Sequence, residues 1–147
     1  MASVLADTGP LVALFSARDM HHANAQAWFK SFRGNLLTTW PVLTEVTHLL
    51  AHPHLVSRFM HWVSEGGAHV FEMPAQAVVE IAELMERYES SGMDLADASL
   101  VWLADQIAIP RVISIDEGGF AVFRTASGVA ITNEFLITSS TPRRRHR

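Results

Sequence analysis

Four carboxylates stand at positions where an ordinary structural acid is unusual. Asp7 and Asp116 each end a short apolar run, so both are expected at the carboxyl ends of strands. Glu45 and Asp97 instead interrupt the apolar stripes of two predicted helices. An ionised carboxylate on such a face is unfavourable unless it is paired or binds a metal ion. The four acids together therefore predict a site that holds cations.

The residue types narrow the kind of metal. The chain has no cysteine, so the candidate ligands are carboxylate oxygens. Several oxygen ligands favour a hard ion, Mg²⁺ or Mn²⁺. Like charges that are brought together also need cations to balance them.

Each acid has an ordinary interpretation as well. Asp94 and Asp97 have the spacing of a helix N-cap and a first-turn acid that complements the helix dipole. Asp116 fits an ordinary turn, and the Glu45 side chain can reach solvent. For any one of these acids, such a role explains the residue at least as well as catalysis does. The occurrence of four acids in unusual positions nevertheless favours a cation-binding site.

Composition indicates a single folded domain. The chain has 147 residues, of which 49% are hydrophobic and 18% charged, enough for a real core. No apolar run approaches the roughly 20 residues of a membrane span. The N-terminus lacks a secretory pattern, and with the absence of cysteine this agrees with a cytoplasmic protein. We expect one domain over residues 1–140 and a basic tail over 141–147.

Charge argues against binding of nucleic acid by bulk attraction. The formal net charge is −4 although four arginines lie in the tail, so the remainder is more acidic still. Such a body suits an acidic pocket filled by divalent cations.

Hydrophobic periodicity alternates between strands and helices. This alternation predicts an α/β domain with three layers, α/β/α, around a central, mostly parallel sheet. Strands are predicted at 3–6, 35–39, 68–71 and 111–115, with a last strand near 129–132 or 135–137. Helices are predicted at 11–15, 20–32, 40–50, 55–63, 74–90 and from about 94 to 107.

Several short motifs, in this order and spacing, resemble those of the PIN-domain nucleases and in particular the VapC-type ribonuclease toxins. They are Asp7-Thr8 after an apolar strand, Glu45 in a helix, the segment 93–100, and Ser114-Ile115-Asp116 followed by Phe120. The resemblance spans about residues 4–123. A departure is the glycine pair at 118–119, where relatives often carry charged residues.

This resemblance implies a metal-dependent endoribonuclease that hydrolyses RNA phosphodiester bonds with acid-bound Mg²⁺ or Mn²⁺ and an activated water. The catalytic and metal-binding acids would be Asp7, Glu45, Asp97 and a more variable fourth, Asp116. Asp94 is either an additional ligand or an N-cap. Thr8 and Ser114 would supply hydroxyls that orient water or a carboxylate.

The resemblance also implies partners: a cognate antitoxin, a second copy of the chain in a homodimer, and an RNA substrate. The helix at 55–63 carries more large apolar side chains than one stripe needs. We expect part of it to form, with the 40–50 helix, a groove for an antitoxin helix that sends a basic side chain to the acids.

Three alternatives compete with the toxin interpretation. The chain could be a housekeeping PIN-domain RNase, or a non-catalytic scaffold whose acids bind a structural cation. The third alternative is a zinc site, because His48 and His52 lie one helical turn apart, as zinc ligands can. Pro53 follows His52, however, and no third ligand is evident.

Overall fold

The computed structural model describes residues 2–135, in which five strands and seven helices alternate. The strands are β1 Ala2–Ala6, β2 Gly34–Thr39, β3 His69–Phe71, β4 Arg111–Ile113 and β5 Thr132–Asn133. The helices are α1 Thr8–Phe15, α2 His22–Ser31, α3 Trp40–Leu50, α4 Pro53–Ser64, α5 Ala77–Arg87, α6 Leu95–Gln106 and α7 Glu117–Val122. The tail at 141–147 lies outside the described residues.

All five strands belong to one sheet in the order β3-β2-β1-β4-β5, and every neighbouring pair is parallel. Helices α1 to α4 pack together, and α5 packs on α6. This arrangement confirms the predicted α/β/α class. Among residues 2–135 no helix has the length and apolar character to cross a membrane.

The strand order places a crevice beside β1. The chain moves outward from β1 to β2 and β3 and then returns to the other side of β1 as β4. In open parallel sheets, ligands bind beyond the carboxyl ends of the strands where the order reverses in this way. Residues that directly follow β1 and β4 therefore occupy the preferred binding position of the fold.

Local sequence accounts for the elements that border this crevice. Val4, Leu5 and Ala6 are at most 1% exposed, as expected for a central strand covered on both faces. Helix α3 begins at Trp40 with Pro41 in its first turn, where proline's missing N–H is not needed. Helix α6 begins at a reciprocal capping box and buries eight of its twelve residues.

Several element boundaries differ from those expected from the sequence. Residues 74–76 form a turn, so α5 begins at Ala77. Strand β4 ends at Ile113 because the next peptide groups bond to a side chain instead of a strand. The glycine pair 118–119 lies within α7, where a capped N-terminus compensates for the low helix propensity of glycine. The last described strand, Thr132–Asn133, overlaps the first of the two predicted locations at Thr132, and residues 136–137 of the second lie outside the described residues.

Candidate active site

Asp7 is the most buried acid of the crevice. It directly follows β1, is 7% exposed, and continues the β1–β4 ladder through its backbone N–H, which donates to the Ile113 carbonyl. Its side chain makes no capping bond to α1. Instead Asp7 Oδ2 accepts a hydrogen bond of 2.8 Å from the Ser114 hydroxyl. The Asp7 side chain therefore serves Ser114 and the crevice and does not cap α1.

Burial sets the ionisation of Asp7. Desolvation raises the pKa of its carboxyl from 3.8 to about 6, and repulsion from Glu45 and Asp94 acts in the same direction. The Ser114 hydroxyl and the Thr8 amide oppose that rise because they stabilise the ionised form. At neutral pH the Asp7 side chain is therefore mostly ionised, although its burial makes the ionised form unfavourable.

Asp97 shares this environment from the first turn of α6. The pKa of the Asp97 carboxyl is strongly raised, chiefly by burial and further by repulsion from Asp7 and Asp94. Asp97 Oδ2 accepts from the Asp94 N–H at 3.1 Å, and Asp94 Oδ1 accepts from the Asp97 N–H at 2.8 Å. Asp94 is thus the N-cap, and the capping box fixes where the Asp97 carboxylate lies.

Glu45 approaches the same crevice from α3. Burial raises the pKa of the Glu45 carboxyl, Asp94 raises it further, and the Thr8 hydroxyl lowers it. Thr8 Oγ is buried, yet it completes no hydrogen bond of good geometry within the described residues. An unsatisfied buried hydroxyl next to a carboxylate marks a place where a water or an ion would complete the site.

The four acids Asp7, Glu45, Asp94 and Asp97 therefore repel one another around one crevice. Oxygen donors with surplus negative charge suit a divalent cation. Within residues 2–135, however, no group of three or more histidine or acidic side chains stands close enough together to hold a metal ion. Direct coordination by three of these acids requires some side-chain movement, or waters between the ion and some ligands. The donor chemistry fits Mg²⁺, which usually keeps several waters.

Asp116 stands apart from this cluster. Its side chain is exposed and caps α7 by accepting from the Gly119 N–H at 3.1 Å. Its backbone N–H donates to the Ser114 hydroxyl, which in turn donates to Asp7. Ser114 therefore connects the fourth predicted acid to the first.

Asn133 also borders this site and was not predicted from the sequence. Its amide bonds to both backbone groups of Ser114, with distances of 3.1 Å from the Ser114 N–H and 2.9 Å to the Ser114 carbonyl. The available signal was a polar amide at the carboxyl end of a strand on the edge where Asp7 lies. The uncertain placement of the last strand obscured it.

An apolar cleft of about 680 Å³ borders Glu45. Trp40, which is 55% exposed, and Leu95, which is 50% exposed, contribute apolar surface to it. Its full lining is Trp40, Pro41, Thr44, Glu45, His48, Asp94, Leu95 and Ala96.

The cleft involves only one of the two helices predicted to form the antitoxin groove, and that groove stays a prediction. Helix α3 lines the cleft, but the opposite wall is the N-terminus of α6, not the helix at 55–63. Phe59 of that helix is fully buried, and Trp62 makes edge contacts with Phe15 and Phe29. These rings pack α4 onto α1 and α2, whereas Met60 of the same helix is 37% exposed.

The histidines of the described residues form no comparable site. His52 and His54 have ring centroids 5.8 Å apart, and within residues 2–135 neither they nor His48 belong to a group able to hold a metal. The structure gives no support to the zinc alternative.

Comparison with known proteins identifies relatives across most of the chain. The model of the PIN domain family matches residues 4–124. Ribonuclease VapC26 of Mycobacterium tuberculosis (strain ATCC 25618 / H37Rv) is 25% identical over 132 residues, which cover 88% of this chain and 98% of the relative.

Among solved structures, the Mycobacterium tuberculosis toxin VapC20, described as cleaving the sarcin–ricin loop, has a similar fold. Its TM-score is 0.69 at 19% identity, and the match covers 82% of this chain and 95% of that one. At this level of identity the likeness shows the fold.

Proposed function

This chain belongs to the PIN domain family, and from that premise we propose that it is a metal-dependent endoribonuclease of the VapC toxin type. The relative Ribonuclease VapC26 has nearly the same length, and the structurally similar VapC20 is described as a toxin that cleaves the sarcin–ricin loop. The reaction is hydrolysis of RNA phosphodiester bonds.

The observation that carries the proposal is that Asp7, Glu45 and Asp97 border one crevice, near enough for Asp7 to be repelled by Glu45 and Asp97 by Asp7. All three pKa values are raised by burial at the carboxyl edge of one sheet, and Asp7 is repelled by Glu45. Clustered titratable groups with shifted pKa values in a cleft are typical of functional sites. A purely structural role does not require acids that destabilise each other.

We assign Asp7, Glu45 and Asp97 as the residues that hold Mg²⁺ or Mn²⁺. When bound there, such an ion supplies a hydroxide nucleophile and neutralises charge on the scissile phosphate. Ser114 donates to Asp7 Oδ2 and so helps to orient this carboxylate at the crevice. The capping box orients Asp97, and the Thr8 hydroxyl is placed to bond a water.

Asp116 and Asp94 are not assigned as direct ligands of the ion. Asp116 is exposed beside Ser114, and we propose that it contributes as the fourth acid through water. Asp94 caps α6 by accepting from the Asp97 N–H, and its negative charge repels Glu45.

We further propose a cytoplasmic setting and a cognate antitoxin. The cleft at Trp40 and Leu95 joins apolar surface to the acids Glu45 and Asp94, so it suits an antitoxin segment that carries a basic side chain. That side chain would compete with the cation, and inhibition should weaken as Mg²⁺ rises.

A homodimer is also proposed. Val78 and Val79 are 65% and 64% exposed on α5, and adjacent apolar side chains of this kind suit a protein interface. The division into a domain of residues 1–140 and a tail of 141–147 stays a prediction.

Cleavage of a diverse RNA pool tests the proposal. Metal-free protein should leave the pool intact, Mn²⁺ should start cleavage, and EDTA should stop it. A scaffold whose acids bind a structural cation would instead gain thermal stability with Mn²⁺ and cut no RNA.

A further inference from the structure

Asn133 lies where β5 ends and bonds to the segment that follows β4. The backbone pairing of these strands ends at Val112 with Asn133. Beyond that point the Asn133 side chain continues the pairing, because its amide bonds to the N–H and carbonyl of Ser114. A side chain thus replaces the peptide group that a longer strand would have supplied.

The orientation of this amide is determined by its partners. Asn133 Oδ1 accepts from the N–H groups of Ser114 and Phe135, at 3.1 and 3.2 Å, while its Nδ2 donates to the Ser114 carbonyl. A reversed amide would set N–H donors against two N–H donors. Only asparagine offers this acceptor and donor pair on so short a stem.

The Ser114 hydroxyl has its single proton committed to Asp7. The Asp116 N–H donates to Ser114 Oγ at 3.1 Å, so the hydroxyl proton is available for Asp7 Oδ2. Ser114 is fully buried, and its backbone conformation decides where Oγ points. Asn133 fixes that backbone on both sides.

We propose that Asn133 is a positioning residue for the metal site and acts on Asp7 through Ser114. The inference rests on the proposed function, since it assumes that Asp7 is a metal ligand. Residues that hold metal ligands from behind typically change metal affinity 10- to 100-fold when mutated. We therefore expect Asn133→Ala to weaken Mn²⁺ binding by about tenfold or more.

The competing explanation is that Asn133 only joins the ends of two short strands. In that case its loss would lower stability without changing the geometry of Asp7. The two explanations differ in metal affinity and in how the losses at Asn133 and Ser114 combine.

A double-mutant cycle on the full chain separates them. Mn²⁺ affinity is measured by calorimetry on initially metal-free wild type, Asn133→Ala, Ser114→Ala and the double variant. If Asn133 acts through Ser114, the double variant binds Mn²⁺ about as weakly as either single variant. Multiplied losses, or wild-type affinity in folded Asn133→Ala, would overturn the proposal.

Two further variants protect the test. Asn35→Ala removes an exposed amide near the amino end of β2 and should leave Mn²⁺ affinity unchanged. If Asn133→Ala does not fold, Asn133→Asp replaces it. That variant keeps the acceptor for the Ser114 N–H but sets an oxygen against the Ser114 carbonyl, and it too should bind Mn²⁺ more weakly.

Amide hydrogen exchange gives a reading without metal. In metal-free Asn133→Ala the N–H groups of Ser114 and Asp116 should exchange faster than in wild type, while β1 stays protected. Unchanged exchange of the Ser114 and Asp116 N–H groups would contradict the proposal that Asn133 holds the Ser114 backbone in place. If wild type itself binds no Mn²⁺, the metal assignment fails under the proposed function, and exchange alone decides whether Asn133 holds Ser114.

Discussion

Asp7 holds a negative charge in a place where burial opposes it. Its raised pKa means that the folded protein binds a proton more tightly than the unfolded chain does. Stability from this group is therefore present at low pH and is lost as pH rises from about 3.8 to about 6. Glu45 and Asp97 contribute with the same sign because their pKa values are also raised.

We predict that the metal-free protein becomes less stable between pH 4 and pH 7. The Asp7 shift corresponds to about 3 kcal/mol at most, since one pKa unit is about 1.4 kcal/mol. Urea unfolding at a series of pH values measures the slope. Asp7→Asn removes the ionisable group and should flatten it.

Glu86→Gln provides the control because Glu86 is an exposed acid on α5. It should leave the slope unchanged. A wild-type protein whose stability rises steadily over this pH range would contradict the environment assigned to Asp7.

At the scale of elements, two helix N-termini set the geometry of the crevice. The first turn of α1 approaches the segment after β4 so closely that a Cβ on Gly9 would lie 2.9 Å from Ile115 Cδ1. At α6, the capping box places Asp97 by means of Asp94. At Gly9 the close neighbours include the branched Cβ of Ile115 at 3.0 Å, which cannot move away by a simple rotation of the side chain.

Gly9→Ala should therefore push α1 away from the β4 edge. Overpacking of this kind typically costs about 1–3 kcal/mol, and thermal unfolding measures it. Gly118→Ala is the matched control. A Cβ there has no neighbour closer than 3.7 Å, and alanine favours a helix over glycine by about 1 kcal/mol. Equal losses of stability in the two variants would argue against the close approach.

Asp94 permits a test that separates its cap from metal binding. Asp94→Asn keeps an acceptor for the Asp97 N–H, so folding and RNA cleavage should both persist. Asp94→Ala loses the cap and should destabilise the protein by about 1 kcal/mol. If Asp94→Asn removes cleavage while the melting temperature holds, Asp94 is a direct ligand.

At the scale of the whole molecule, the features that the sequence could predict are those that local patterns determine. Asp7 and Asp97 were accessible from pattern because each is an acid in an apolar context. The parallel sheet could be predicted because strands and helices alternate. These features depend on short stretches of sequence.

The features that escaped prediction depend on long-range contacts. Asn133 meets Ser114 only because β5 lies beside β4. The cleft at Trp40 and Leu95 exists because the N-termini of α3 and α6 share one edge of the sheet. Hydrophobic periodicity describes one element at a time and carries no information on such pairs.

The rate of RNA cleavage in Asp7→Asn tests the central claim most directly. With saturating Mn²⁺ and one RNA substrate, the wild type and Glu86→Gln should cleave at the same rate. Asp7→Asn should be at least about 100-fold slower, since the ion and its ligands stabilise most of the developing charge. Folded Asp7→Asn that cleaves at the wild-type rate, or wild-type cleavage that persists in EDTA, would contradict the account.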